Sequence, residues 1–333
     1  MKSVLPAFAA LVLLFHPLSA AEPAAKPATL PAPEVKTVLK ITPGKVIIPF
    51  DRMQRPWGEL ISLDFATRTG KFRRESNDEV VSFTVMPYAE LLHHATNGDL
   101  QDFRVGERAI FRLHENEKGE WVWLTYIQDE MNMMNGHKEY FYVDTIDAAK
   151  KQVTCTWANF DKSFIREKGV VITTDADTRY WKAGLPAAFT DIKVGEKLRT
   201  KTHGVGKGKV RVAWEVFLDD ESLAKFQSEQ KAVHADRMKK EGAPGYVDEV
   251  NGATLKLTLF NEGSDVAKQL KVGKTVKVAP AGVDRKPSGE AVEGRVTELK
   301  ANGRQQAVTL QTAAGKVPGG FQSKGLFRLW LNE

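Results

Sequence analysis

Phe103-Arg104-Val105-Gly106-Glu107-Arg108-Ala109-Ile110-Phe111-Arg112 decides the fold, because the same phrase returns twice. It recurs as IKVGEKLRT (Ile192 to Thr200) and as LKVGKTVKV (Leu270 to Val278). Each copy reads apolar, basic, Val, Gly, charged, and then alternates like a half-buried strand. Gly106 to Gly119 spans 13 residues, as does Gly195 to Gly208, and both distal glycines follow a lysine. A fixed distance between two turns makes the phrase the entry to a strand in a repeated β unit.

The flanking sequence fits that unit. Before the first copy, Trp57 to Asp64 and Glu79 to Val85 alternate as strands, and Pro87 opens a stretch predicted to be helical over Tyr88 to Ala95. After it, Trp121, Trp123, Thr125 and Ile127 continue the alternation. The second unit repeats this order: Phe141 to Asp147, Val153 to Trp157, Gly169 to Thr173, then the phrase, then Val210, Val212 and Val216. Both units end in an acidic cluster. The third is looser, opening at Gly245 and restarting at Gly294, so 244–333 reads as one barrel with a long return or as a barrel plus a partial copy. About five short strands with a glycine turn into the fourth suit a small closed barrel, which hides its sheet edges. The expected fold is all-β, with tandem small antiparallel OB-like β-barrels (two clear, a third divergent) and one linking α-helix.

That helix is marked by Asp219 and Asp220 at its start and by Lys239, Lys240, Gly242 and Pro244 at its end. Leu223, Phe226, Val233 and Met238 give it a narrow apolar stripe. The segments are a signal peptide over 1–21, a Pro/Ala-rich linker over 22–41, barrels over 42–134 and 135–218, the helix over 219–243 and the third barrel over 244–333. Met1-Lys2-Ser3, the apolar run Val4 to Phe15 and Ser19-Ala20-Ala21 mark a secretory signal cleaved after Ala21. An exported chain, periplasmic or extracellular, is therefore expected. No later stretch is apolar enough for a transmembrane helix.

Composition narrows function only a little. The 333 residues are 42% hydrophobic and 27% charged, and a net charge of +6 is spread along the chain rather than blocked. Such mixed charge is a weak pointer to polyanions, and export argues against nucleic acid. A single cysteine, Cys155, rules out an internal disulfide. Its alternation with Val153 and Trp157 predicts a buried, inert thiol.

The Gly-x-Ile/Val strand ends, the Asp177-Thr178-Arg179 turn and the K-V-G-E phrase resemble the tandem OB-like barrel repeats of exported bacterial proteins. The first unit is distantly similar to periplasmic copper- and silver-binding chaperones. The latter resemblance implies soft-metal binding by methionine and histidine beside a tryptophan.

Three candidate constellations follow. Met131, Met133, Met134 and His137 offer thioether and imidazole ligands for copper or silver, or else methionines packing between barrels. Arg52, Arg55, Trp57, Arg68, Lys71, Arg73 and Arg74 form a basic, aromatic-flanked segment, with Arg52, Arg55, Trp57, Arg73 and Arg74 as its binding candidates, either a ligand-binding face or a solvated rim. His93-His94, placed on the expected helix with about 100° between neighbours and no third ligand apparent, read as surface or edge histidines. The loop Gly204 to Lys209 lacks P-loop spacing and runs into a strand. With no GxSxG, HExxH or CxxC in the chain, the expected function is a non-catalytic binding or scaffold protein contacting a cell-envelope polymer or protein partner. The alternatives are the copper or silver protein and an envelope enzyme with its site between barrels.

Overall fold

The computed structural model describes residues 53–116, 118–203 and 210–332. The signal peptide, the Pro/Ala-rich linker, Arg52 and the turn over 204–209 lie outside the described residues. Three small β-barrels follow one another within a single compact unit.

The first barrel comprises β1 (Trp57–Asp64), β2 (Thr69–Arg74), β3 (Val80–His93), β5 (Arg108–Glu115) and β6 (Trp121–Asp129), with β4 (Thr96–Asn97) as a short hairpin partner of β3. The closed order is β1-β2-β3-β6-β5, and only β3 and β6 are parallel. This is the connectivity of an OB barrel. The second barrel repeats it with β7 (Glu139–Asp147), β8 (Gln152–Asn159), β9 (Ile165–Lys182), β11 (Lys197–His203) and β12 (Val210–Phe217). Here β9 runs parallel to β12, and β10 (Leu185–Ala187) is its hairpin partner.

The third barrel settles the two readings of 244–333 in favour of one closed body. Its strands are β13 (Ala243–Asn251), β14 (Thr254–Leu259), β15 (Thr275–Ala281), β16 (Val292–Asn302), β17 (Gln305–Thr312) and β18 (Leu326–Leu331). They close in the order β13-β14-β17-β16-β15-β18, with every pair antiparallel. Each barrel has its own apolar core, centred on Phe72 and Phe111, on Phe141 and Cys155, and on Leu257 and Phe327.

The repeated phrase is one turn built three times. Gly106, Gly195 and Gly273 have φ of 91°, 85° and 91°. The residue after each donates its N–H to the residue two before each (Glu107 to Arg104, Glu196 to Lys193, Lys274 to Lys271). Positive φ at the third position is the mark of a type II turn and calls for glycine. Each glycine then donates to a bulged strand: Gly106 to Leu60 O at 2.6 Å, Gly195 to Val143 O at 2.8 Å and Gly273 to Val296 O at 2.7 Å. The valines at the turn tips are exposed in every copy.

The predicted helix over Tyr88 to Ala95 is instead the end of β3 and the two-residue turn after it. Ala89, Leu91 and His93 point inward with period two, which helical spacing cannot satisfy. Pro87 lies where β3 shifts register against β6, a bulge position that spares the ladder a missing donor.

Two longer helices follow the copies. The helix α1 (Glu130–Gly136) is capped by Asp129, and α2 (Asp220–Glu241) by Asp219 at its start and Gly242 at its end. The expected apolar stripe of α2 holds at Leu223, Phe226 and Met238, but Val233 is half exposed. Polar side chains dock the helix instead. Lys225 Nζ donates to Gly184 O on the second barrel at 2.7 Å. Gln227 donates to Ala95 O on the first at 2.9 Å, and His234 Nε2 meets Glu262 O on the third at 2.8 Å. The helix is a spine fixed to all three barrels, and among the described residues none is long and apolar enough to cross a membrane.

Candidate functional site

The residues that set the first copy apart from the second meet at the seam between their barrels. At the end of β3, His94 and Ala95 form a two-residue turn with φ of 48° and 62°. Such hairpin turns favour Asn-Gly or a similar pair, because side chains crowd at positive φ. The second copy makes the same turn with Ala183-Gly184, at φ of 50° and 69°. Both turns are tied to the acidic cluster that ends their unit. His94 N–H donates to Asp129 Oδ2 at 2.8 Å, and Ala183 N–H donates to Asp219 Oδ2 at 2.6 Å. The other oxygens of the two aspartates cap α1 and α2. The acidic clusters are therefore parts of the scaffold.

Lys201, from β11 of the second barrel, enters this seam. Its Nζ lies 2.8 Å from Glu107 Oε1, 2.8 Å from His93 Nε2, 3.5 Å from His94 Nε2 and 3.6 Å from Asp129 Oδ2. Glu107 and Asp129 are wholly buried and Lys201 nearly so. Burial alone would lower the lysine pKa, but the neighbouring carboxylates Glu107, Asp129 and Glu215 hold it above its usual value. Burial, helped by Lys201, pushes His93 down to about 4, so its imidazole is neutral near pH 7. His94 is lowered by burial too. Burial raises Asp129, and the nearby charge of Glu107 adds to it.

An outer shell holds these groups in place. His93 Nδ1 meets Gln230 Oε1 of α2 at 3.1 Å, and Gln230 Nε2 donates to Asp102, which is also gripped by both terminal nitrogens of Arg237. His94 Nε2 lies 3.7 Å from Glu215, which pairs with Arg179 at 2.6 Å. A second buried knot crosses the same seam. Glu130 accepts from Arg108 at 2.8 Å and from the backbone and hydroxyl of Thr202 at 2.6 Å each.

The sequence reading placed His93 and His94 at the surface without a third ligand, and the structure corrects this. Both sit in the seam beside Asp129, and one donor atom from each of the three lies within 4.8 Å of the others. The error came from the helix: on a hairpin corner, adjacent residues can converge when the second bends at positive φ. The signal that could have found it is the aspartate at or just past the end of the last strand of each unit, matched against a His-His pair present in one copy only.

The other candidates are dispersed. Met131, Met133 and Met134 lie on α1, buried in the second barrel's apolar cluster, while His137 is exposed at the helix C-cap. Arg55 and Arg73 are exposed, as a binding face requires. Arg74 is engaged by Gln54 at 2.7 Å and Glu79 at 3.3 Å, and the guanidinium of Arg108 covers the Trp57 ring at 3.8 Å. Cys155 is buried in the second core, and burial pushes its thiol up to about 12.

Sequence reasoning missed one surface feature. The β8–β9 hairpin exposes Phe160 (63%) and Phe164 (54%), with Ile165 beside them. Lys197 Nζ lies 4.7 Å from the Phe160 ring centre, and Arg166 lies 5.6 Å from that of Phe164. Lys162, in the same loop, covers Tyr142 at 4.2 Å. Fold and surface together define a tandem β-barrel protein with buried ionic seams and an aromatic–basic face. No family model matches the chain, and no curated protein matches it in sequence.

Proposed function

We propose that this is a non-catalytic exported binding or scaffold protein that presents barrel faces to a cell-envelope polymer or protein partner. The carrying observation is the pair Phe160 and Phe164, exposed at the β8–β9 hairpin beside Lys162, Arg166 and Lys197. In connectivity this is the hairpin joining the second and third strands of an OB barrel, the face such barrels use for polymeric ligands through ring stacking and charge. The exposed Arg55 and Arg73 extend a basic character onto the first barrel. The spine and the buried ion pairs support the scaffold part of this reading, because they fix three such surfaces in one body.

The alternatives have less support. For copper or silver, the Met131 to His137 set offers thioethers enclosed by apolar side chains and an imidazole on the outside. For an enzyme between barrels, carboxylates do converge at the seam, but Glu107, Asp129 and Glu215 are closed over by neighbours. The test is co-sedimentation of the exported chain with purified cell-wall polymer and with outer-leaflet glycolipid. Retention that falls at least tenfold in F160A/F164A supports the reading. Equal retention of wild type and variant removes it.

A further inference from the structure

Charge does not balance at the seam. Glu107 and Asp129 are both wholly buried and share one ammonium, that of Lys201. Glu215 is already matched by Arg179, and Asp102 by Arg237. Two wholly buried carboxylates thus face one ammonium, at 2.8 and 3.6 Å. Buried charge without a partner is costly, so the missing positive charge must come from a proton or a bound cation.

The surrounding atoms suit a metal cation. Two imidazole nitrogens and a carboxylate oxygen form a donor set for zinc and its first-row neighbours. Lys201 Nζ sits among them at 2.8–3.6 Å, hydrogen-bond and ion-pair distances. Zinc bonds are near 2.0–2.2 Å. Donors that now surround an ammonium would need to close by roughly 1 Å around an ion, within the reach of side-chain torsions.

One further observation separates this centre from scaffold. The second copy keeps the same turn and the same aspartate cap but places Lys182-Ala183 where the first has His93-His94. The fold needs the turn and the aspartate. Neither turn geometry nor capping needs the histidine pair.

We propose that His93, His94 and Asp129 form a divalent transition-metal site, with Glu107 as the nearest further carboxylate. The ion takes the place now held by the Lys201 ammonium. The flexible four-carbon stem of the lysine lets that ammonium withdraw from the imidazoles as the ion enters. Asp129 can serve while it caps α1 and accepts from His94, because a carboxylate has about four lone-pair positions. The inference is independent of the envelope-binding reading, since none of these residues is on the Phe160–Phe164 face.

The experiment is a zinc titration of the chelator-treated, exported chain by calorimetry, with cobalt absorption as a second readout. One equivalent is expected, with affinity reduced at least tenfold in H93Q/H94Q and increased in Lys201→Met. X-ray absorption of the zinc-loaded wild type is expected to show two imidazoles in the first shell, a reading that does not depend on any variant folding. Absence of stoichiometric binding in the wild type overturns the proposal. Binding that survives H93Q/H94Q, or a first shell without imidazole, also overturns it.

Discussion

Asp219 holds Ala183 and its own helix with one carboxylate: Oδ2 accepts the Ala183 N–H at 2.6 Å, and Oδ1 accepts the Ser222 N–H at 2.8 Å. One residue thus fixes the hairpin that ends β9 and starts the spine that touches every barrel. Asp219→Ala removes a helix cap and a turn acceptor together. Each is worth on the order of 1 kcal/mol. A loss of about 2 kcal/mol is expected in urea unfolding, with faster proteolysis around α2. Asp219→Asn keeps the capping oxygen and should lose about half as much.

The seam between the first two barrels gives a sharper test. Lys201→Met leaves Glu107 and Asp129 without their cation, and breaking a buried pair from one side costs about 3–5 kcal/mol. Glu107→Gln in that background removes one of the stranded charges. The double variant is therefore expected to be more stable than Lys201→Met alone, which strictly additive losses forbid. Urea midpoints of wild type, both single variants and the double variant measure the coupling. A double variant less stable than Lys201→Met would show that the ammonium is not what compensates Glu107.

The barrels were legible in the sequence because their signals are local. Period-two alternation and a glycine at fixed distance report strand and turn without reference to the rest of the chain. Where local signals compete, the reading failed. Pro87 followed by Tyr-Ala-Glu-Leu-Leu carries helix-forming residues, yet pairing of β3 with β6 across Tyr126 and Ile127 overrides them. That error hid His93 and His94, since their meeting depends on a hairpin corner. Lys201 and Glu107 gave no sign of burial, because nothing in a strand's alternation says that its outer face meets another barrel. Seam contacts are pairings between distant segments, and a single sequence does not display them.

Two kinds of glycine in these barrels should respond differently to alanine. Gly195 has a φ of 85° and no atom within 4 Å of an added Cβ, so only backbone strain opposes substitution. Gly195→Ala is expected to cost about 1–2 kcal/mol. Gly245 has ordinary φ, but an added Cβ would clash with Thr258 O and meet the Phe327 ring at 2.5 Å. Backbone oxygen cannot turn away as a side chain can, so β13 and β14 must separate. Gly245→Ala should cost about 3 kcal/mol, at or beyond the upper end for overpacking. Thermal melts of the two variants give the order, and equal losses would refute the steric account.

Acid should open the junction of the first barrel, the spine and the third barrel. Burial alone would raise the Asp99 pKa, but Arg68, Arg285 and Arg237, with the Leu100 N–H, hold it well below the usual carboxylate range. At Asp102 burial also opposes ionisation, and the two bonds from Arg237 outweigh it. Both groups titrate lower folded than unfolded, so in acid the unfolded chain binds more protons. Their stabilisation is complete above the unfolded aspartate value of about 3.9 and is lost as pH falls through the folded values. Urea midpoints at neutral pH should therefore hold down to about pH 5 and then fall. In Asp99→Asn the neutral-pH midpoint should already be lower, with a shallower decline in acid. Because Arg68 and Asp99 are mostly buried, added salt should blunt the decline little. An acid decline as steep in Asp99→Asn as in wild type would place the acid-sensitive charge elsewhere.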